Sequence, residues 1–285
     1  MQSSNETALS LSPKHQLITD DTTGGTCRLM KIIKAFIIAF SIYSRIPMPQ
    51  FKWEEEDMKY NLCFLPFVGA VIGALVFLGG MVLERFEIPL VAMVCIISVI
   101  PLIITGGFHV DGFLDVTDAL SSFKPKEEKL RILKDPHIGA FAVTGFAIYG
   151  LIWIASLMII CDDNLRYDSI FIAAVFVLAR IMTAISSVAL KKAKDNGMLA
   201  NETRKNGRIQ LVIMIAELMA VLAVLILIDP FVTIILAAVS GLFFAYYRFK
   251  SYKEFGGVTG DTAGYYVCVS ELLMMASLAV CDLIR

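Results

Sequence analysis

Apolar residues in this chain come in long blocks rather than in alternation, and the blocks share a length. A bilayer core about 30 Å thick is crossed by roughly 20 apolar residues in a helix. Stretches of that kind run from Leu62 to Leu83, Ile88 to Thr105, Ile138 to Ile160, Ser169 to Leu190, Ile209 to Ile228, Phe231 to Tyr247 and Thr262 to Leu283. They predict an all-α, polytopic integral membrane helix bundle of about seven spans. The apolar segment from Ile32 to Ile46 is shorter and carries Lys31, Lys34 and Arg45 at its ends, which predicts a short interfacial or re-entrant N-terminal helix. Residues 1–29 are rich in Ser, Thr and Asp and contain no apolar run, so they read as a disordered leader ahead of a single membrane domain, residues 30–285. Met30 opens MKIIKAFIIAF, which reads as an alternative start.

Composition supports the membrane assignment: 57% of the 285 residues are hydrophobic and 18% charged, too apolar for a surface that faces water. A formal charge of −1 excludes a nucleic-acid binder held by bulk charge. The six cysteines, Cys27, Cys63, Cys95, Cys161, Cys268 and Cys281, form no CxxC pair and read as small core residues. Lys and Arg then orient the bundle, because they accumulate on the cytoplasmic side. They concentrate in alternate connections: Lys124 to Lys134, Lys191 to Arg208, and Arg248 to Lys253. The opposite connections are short turns with few basic residues. Any site is therefore expected to face the cytoplasm.

The first basic connection opens with TGGFHVDGFLDVTDALSSF, in which Asp111, Asp115 and Asp118 stand at i, i+4 and i+7. On a helix these fall within an arc of about 60°. Three like charges on one stripe repel, and a divalent cation is the natural counter-ion; all-oxygen ligation favours Mg²⁺ or Mn²⁺ shared with substrate phosphates. His109, two residues earlier, is a candidate general base or phosphate contact if its pKa lies near neutrality. Gly106 and Gly107 allow close approach of backbone to a ligand. Two more polar segments open spans on the same side. KDPHIGAF supplies Lys134 and His137, and FGGVTGDT supplies Gly256, Gly257, Thr259, Gly260 and Asp261, an anion-binding pattern with a further metal-ligating carboxylate. Within the spans lie Arg180, Glu217 and Glu271, each costly in lipid. Arg180 is a candidate phosphate contact, and Glu271 its ion-pair partner.

These segments resemble the cobalamin synthase (adenosylcobinamide-GDP ribazoletransferase) family. GGFHVDGFLDVTDA is similar to that family's GGxHxDGxxDxxD signature, and KDPHIGAF, FGGVTGDTAGYYVCVSELL and SIYSRIPMP are similar to its other three motifs, in the same order from about Lys31 to Leu283. Leu114, Pro136, His137 and Asn196 stand where the family usually has Ala, Ser, Arg and an acid, and a neutral His137 weakens a cationic contact there. The resemblance implies a catalytic membrane domain that joins adenosylcobinamide-GDP to α-ribazole, or its 5′-phosphate, and releases GMP with Mg²⁺. For that reaction the residues suggest Asp111 and Asp115 as metal ligands, Asp261 as a metal ligand or cap, Asp118 or His109 as base, and the Gly256–Gly260 loop and Arg180 as phosphate contacts. The resemblance also implies a multi-pass protein of the cell inner membrane, with a homodimer and docked corrinoid-pathway enzymes left open. Two other readings compete. A CDP-alcohol phosphotransferase requires a Gly-Asp spacing that is missing after Asp115, and a transporter using Glu217 and Glu271 leaves the loop motifs unexplained.

Overall fold

The computed structural model describes residues 21–54, 56–163, 165–193, 199, 203 and 207–285. Among the described residues ten helices carry the fold: α1 (Asp21–Tyr43), α2 (Leu65–Arg85), α3 (Leu90–Thr105), α4 (Phe108–Ser121), α5 (Lys126–Ile132), α6 (Ala140–Asp163), α7 (Leu165–Ala189), α8 (Gly207–Ile228), α9 (Pro230–Phe255) and α10 (Gly260–Leu283). A short 3₁₀ segment, Asp57–Phe64, leads into α2. Six of the helices are long and apolar enough to cross a bilayer, and the bent pair α3–α4 makes a seventh if counted as one span. The chain is thus an all-α polytopic bundle, as its hydropathy predicts. α1 begins at Asp21, inside the stretch read as leader; residues 1–20 of that stretch lie outside the described residues.

α7 is the centre of the bundle: 72% of its spanning window is buried, against 11% for α8 at the periphery. It packs most extensively on α2. Association in lipid gains little from the hydrophobic effect and relies on close packing, which small residues permit. Gly69 and Gly73 supply it, since a methyl group on Gly73 would lie 2.8 Å from the Ala173 Cα and one on Gly69 2.8 Å from the Arg180 side chain.

One expected span departs from the pattern. The apolar run ending at Thr105 is a helix of 16 residues, and the next helix leaves it at 94°. Gly106 and Gly107 make that turn with φ of 63° and 81°, left-handed values that cost a residue with a Cβ but not glycine. The two glycines were expected to let backbone approach a ligand; here they form the hinge. α4 therefore runs across the end of the bundle instead of along it. The N-terminal motif braces this corner: Arg45 N donates to Ile104 O at 2.7 Å and the Arg45 side chain lies against Gly106.

Candidate functional site

α4 is two-sided. His109, Gly112, Phe113, Val116 and Ala119 are buried, while Asp111 is exposed and Asp115 and Asp118 are half-buried. The buried face seats on α10 through two glycines. A Cβ on Gly112 would lie 2.6 Å from Asp261 O, and one on Gly264 would lie 2.9 Å from His109 O. This contact brings Asp261, about 150 positions away in sequence, beside the stripe. The Asp115 carboxyl is pushed up to about 6, first by burial and then by the charges of Asp111, Asp261 and Asp118. The four acids predicted to work together thus form one electrostatic cluster. Asp118 also faces Gly139 at the start of α6, where a side chain would collide with its carboxylate. The second motif therefore meets the stripe through its glycine.

Gly112→Ala is expected to drive α4 and α10 apart, because the added methyl meets backbone that cannot rotate away. Overpacking of this kind costs about 1–3 kcal/mol. A lowered unfolding midpoint in detergent and a matching loss of activity would show it, and an unchanged midpoint would contradict the close contact.

The third motif closes the site from the other side. α9 ends at Gly256, whose φ of 79° gives a left-handed cap with Gly256 N and Gly257 N donating to Tyr252 O and Ser251 O. The loop then pairs with the segment after α7: Val258 N donates to Lys191 O at 2.8 Å and Ala193 N to Val258 O at 2.9 Å. Gly257 is needed because a Cβ there would strike the backbone of residues 191–193. Thr259 caps α10 reciprocally with Thr262: Thr262 N donates to Thr259 Oγ1 at 3.1 Å, and Thr259 N to Thr262 Oγ1 at 2.8 Å. The positive end of the α10 dipole is directed into the same space.

That space is a cavity of about 330 Å³ with Asp111 and Asp261, Lys134 and Lys192, and Thr259 and Gly260 in its walls. Two carboxylates, two ammonium groups and a helix N-terminus around one recess suit a phosphorylated ligand that shares a divalent cation. Among the described residues no group of three or more His, Cys, Asp or Glu side chains stands in metal-holding geometry. Mg²⁺ does not require one, since it takes one or two carboxylates and completes its shell with water and substrate phosphate. The donor set of this cluster fits it.

Other expected residues are placed differently. His109 is buried, stacked parallel to Tyr43 at 6.2 Å and edge-on to Phe108 at 5.5 Å. Burial and the neighbouring Arg180 charge push its imidazole down to about 3, far from the near-neutral value a general base needs. His137 is exposed and bonded to Asp135 at 2.7 Å, outside the cavity wall. Arg180 does not reach the cavity of the Asp cluster either. It is buried in α7 and bonded to Phe176 O at 2.9 Å and to Glu271 at 2.5 Å, so the ion pair expected from sequence is present and the guanidinium lies outside that cavity's walls. Glu217 lines a separate recess between α1, the 3₁₀ segment and α8. Lys192, Tyr43 and Ser187 line the cavity and were not singled out as its residues; Thr183, expected beside Arg180 as a contact for a phosphate or polar substrate arm, lines it too. Burial pushes the Lys192 ammonium down to about 8, and it is held by donating to Ser187 O and Leu190 O. In sequence Lys192 is indistinguishable from the basic anchor around it. Asn196 and most of that stretch lie outside the described residues.

A polytopic membrane protein with a carboxylate cluster and a cationic, phosphate-suited cavity at one end is a membrane-embedded enzyme in design. Residues 35–279 match the family described as cobalamin-5-phosphate synthase, and the chain belongs to that family. It is 37% identical over 252 residues to a protein of Lachnoclostridium phytofermentans named adenosylcobinamide-GDP ribazoletransferase, covering 88% of this chain and 94% of that one. Relatives of the same name from Clostridium perfringens (32% over 245 residues, 85% and 96% covered) and Listeria monocytogenes (31% over 257 residues, 87% and 98%) are similar along nearly their whole lengths. No solved structure matches the chain.

Proposed function

We infer that this chain joins adenosylcobinamide-GDP to α-ribazole, or to its 5′-phosphate, and releases GMP, the last step in assembling the cobalamin nucleotide loop. The observation that carries the reading beyond family membership is the meeting of Asp111 and Asp261 at one cavity with Lys134 and Lys192, with Asp115 and Asp118 in the same electrostatic cluster. A ribose hydroxyl attacks the phosphorus nearer the corrinoid, an oxygen–phosphorus bond forms, and the bond to the GMP phosphate breaks. No covalent enzyme intermediate is required. Asp111 and Asp261, which share the cavity wall, are the residues that would hold Mg²⁺, with Asp115 beside them in the cluster; the ion when bound would supply charge neutralisation at the phosphates. Asp118 accepts the hydroxyl proton; His109, walled in by Tyr43 and Phe108, orients and shields. Lys134 and Lys192 with the Thr259–Gly260 helix start bind phosphate oxygens.

The cavity opens at the end of the bundle where Lys126, Lys129, Lys134, Lys191, Lys192, Lys250 and Lys253 collect. By the positive-inside rule this end faces the cytoplasm, and the protein resides in the cell inner membrane.

The test is a direct assay on nanodisc-embedded protein supplied with GDP-cobinamide, α-ribazole and Mg²⁺. Equal amounts of cobalamin product and GMP are expected, with both lost on chelation and restored by added Mg²⁺. Folded protein that makes neither product with either form of ribazole would refute the reading.

A further inference from the structure

α5 is a helix of seven residues, too short to persist on its own backbone hydrogen bonds, so its place is set by what it touches. It packs chiefly on α4 and α9. Leu133, at its end, is buried in a small apolar cluster with Val116 and Ala119 of α4 and Phe255 of α9. Contacts of this kind hold a helix down, but they have no direction and do not fix its register. The directional contact is an ion pair. Lys129, 7% exposed, donates to one oxygen of the Glu254 carboxylate, and Lys250 lies 3.4 Å from the other. A lysine is almost never buried unless paired, so this contact decides where α5 meets α9. Neither partner lines the catalytic cavity, yet the chain leads into its wall from both. Leu133 N donates to Lys129 O at 3.2 Å and Lys134 N to Arg131 O at 2.9 Å, which ties the backbone of Lys134 to the end of α5. On the other side Glu254 is followed by Phe255 and the left-handed Gly256, the start of the loop that reaches Thr259 and Gly260. One carboxylate thus registers two phosphate-suited segments against each other.

We propose that Glu254, acting through Lys129, is a positioning residue for the phosphate donor: the pair sets the register of α5 on α9 and thereby holds the Lys134 ammonium in the cavity wall with Thr259 and Gly260. The inference rests on the function inferred above and adds what keeps one of its cations in place. A pair that served stability alone would be replaceable, because apolar side chains of similar volume are often as stable as the buried ions they replace. A pair that sets register is not replaceable in this way, since the apolar contacts around Leu133 and Phe255 are already present and carry no direction.

In nanodiscs, Glu254→Gln should raise the KM for GDP-cobinamide about tenfold and leave kcat and the KM for α-ribazole within about twofold, the pattern of lost substrate binding. Lys134→Ala should do the same. The double variant Lys134→Ala/Glu254→Gln should be no worse than Lys134→Ala alone, because the carboxylate acts through that ammonium. Lys129→Met/Glu254→Leu guards against a folding defect: its unfolding midpoint should stay with the parent's while the raised KM persists. Amide exchange reads the contact without turnover. The amides of residues 126–134 should exchange about tenfold faster in Glu254→Gln, with those of α4 unchanged. Losses that multiply in Lys134→Ala/Glu254→Gln, a parent-like KM in the apolar double variant, or unaltered exchange over 126–134 would overturn the proposal. Product formation in the same preparation separates the two claims. A parent that makes no product while exchange still responds to Glu254→Gln refutes the function and leaves the positioning of Lys134 standing; product with unaltered exchange does the reverse.

Discussion

Asp111→Asn is expected to lower product formation by about a thousandfold or more, with the protein still folded. Asp111 is exposed on the cavity wall, so the amide replaces the carboxylate without disturbing packing. Stabilising the charge on a transferring phosphoryl group is worth several kcal/mol, and each 1.36 kcal/mol is tenfold in rate. The stability side has a sign of its own. Burial first, and then the charges of Asp111, Asp261 and Asp118, make Asp115 take up protons more readily than an ordinary carboxyl, so with no cation bound the carboxylates destabilise one another. Neutralising one member should therefore leave the unfolding midpoint unchanged or raise it in chelator. Added Mg²⁺ should raise the midpoint of the parent protein and have much less effect on the variant. Activity within tenfold of the parent, or an equal response to Mg²⁺ in both proteins, would remove Asp111 from the metal-binding group.

Carboxylates gathered against one another are placed for chemistry and not for packing, which bears on which parts were legible in the sequence. The spans follow from bilayer thickness, and the stripe follows from helical spacing. Both are local rules, and both appear in the structure. The 94° turn at Gly106–Gly107 is a matter of backbone handedness, which a hydropathy window over Ile88–Thr105 does not register. Asp261 was recognisable as a candidate only because its motif is polar at the start of a span; its partners are fixed by Gly112 and Gly264, whose role is visible only once two helices touch. Lys192 shows the opposite failure. A lysine in a basic connection is read as an anchor, and what separates it from the exposed Lys191 is that Lys192 is half-buried in the cavity wall. The surroundings of His109 were hidden for a related reason: its motif neighbours suggested a base, while the rings of Tyr43 and Phe108 that enclose it are set by folding, and Tyr43 comes from a helix some 65 positions earlier.

The second large effect concerns the ion pair at the bundle's interior. Glu271→Leu is expected to destabilise the protein by about 3–5 kcal/mol, because it leaves the Arg180 charge buried and unmatched. Arg180→Met should be damaging for the mirror reason, although a lone carboxyl can protonate and a guanidinium cannot, so the loss should be smaller. The double variant Arg180→Met/Glu271→Leu removes both charges and should recover most of the stability, since a buried pair seldom beats an apolar pair of similar volume. Thermal unfolding of the four proteins in one detergent gives the cycle, and equal loss in the double variant and in Glu271→Leu would mean the pair is not what the packing depends on. Activity decides why such a pair is kept in the membrane at all. If it serves only structure, the recovered double variant should turn over like the parent. If the pair also sets how α7 and α10 meet at the site, the double variant should be stable yet turn over more slowly than the parent.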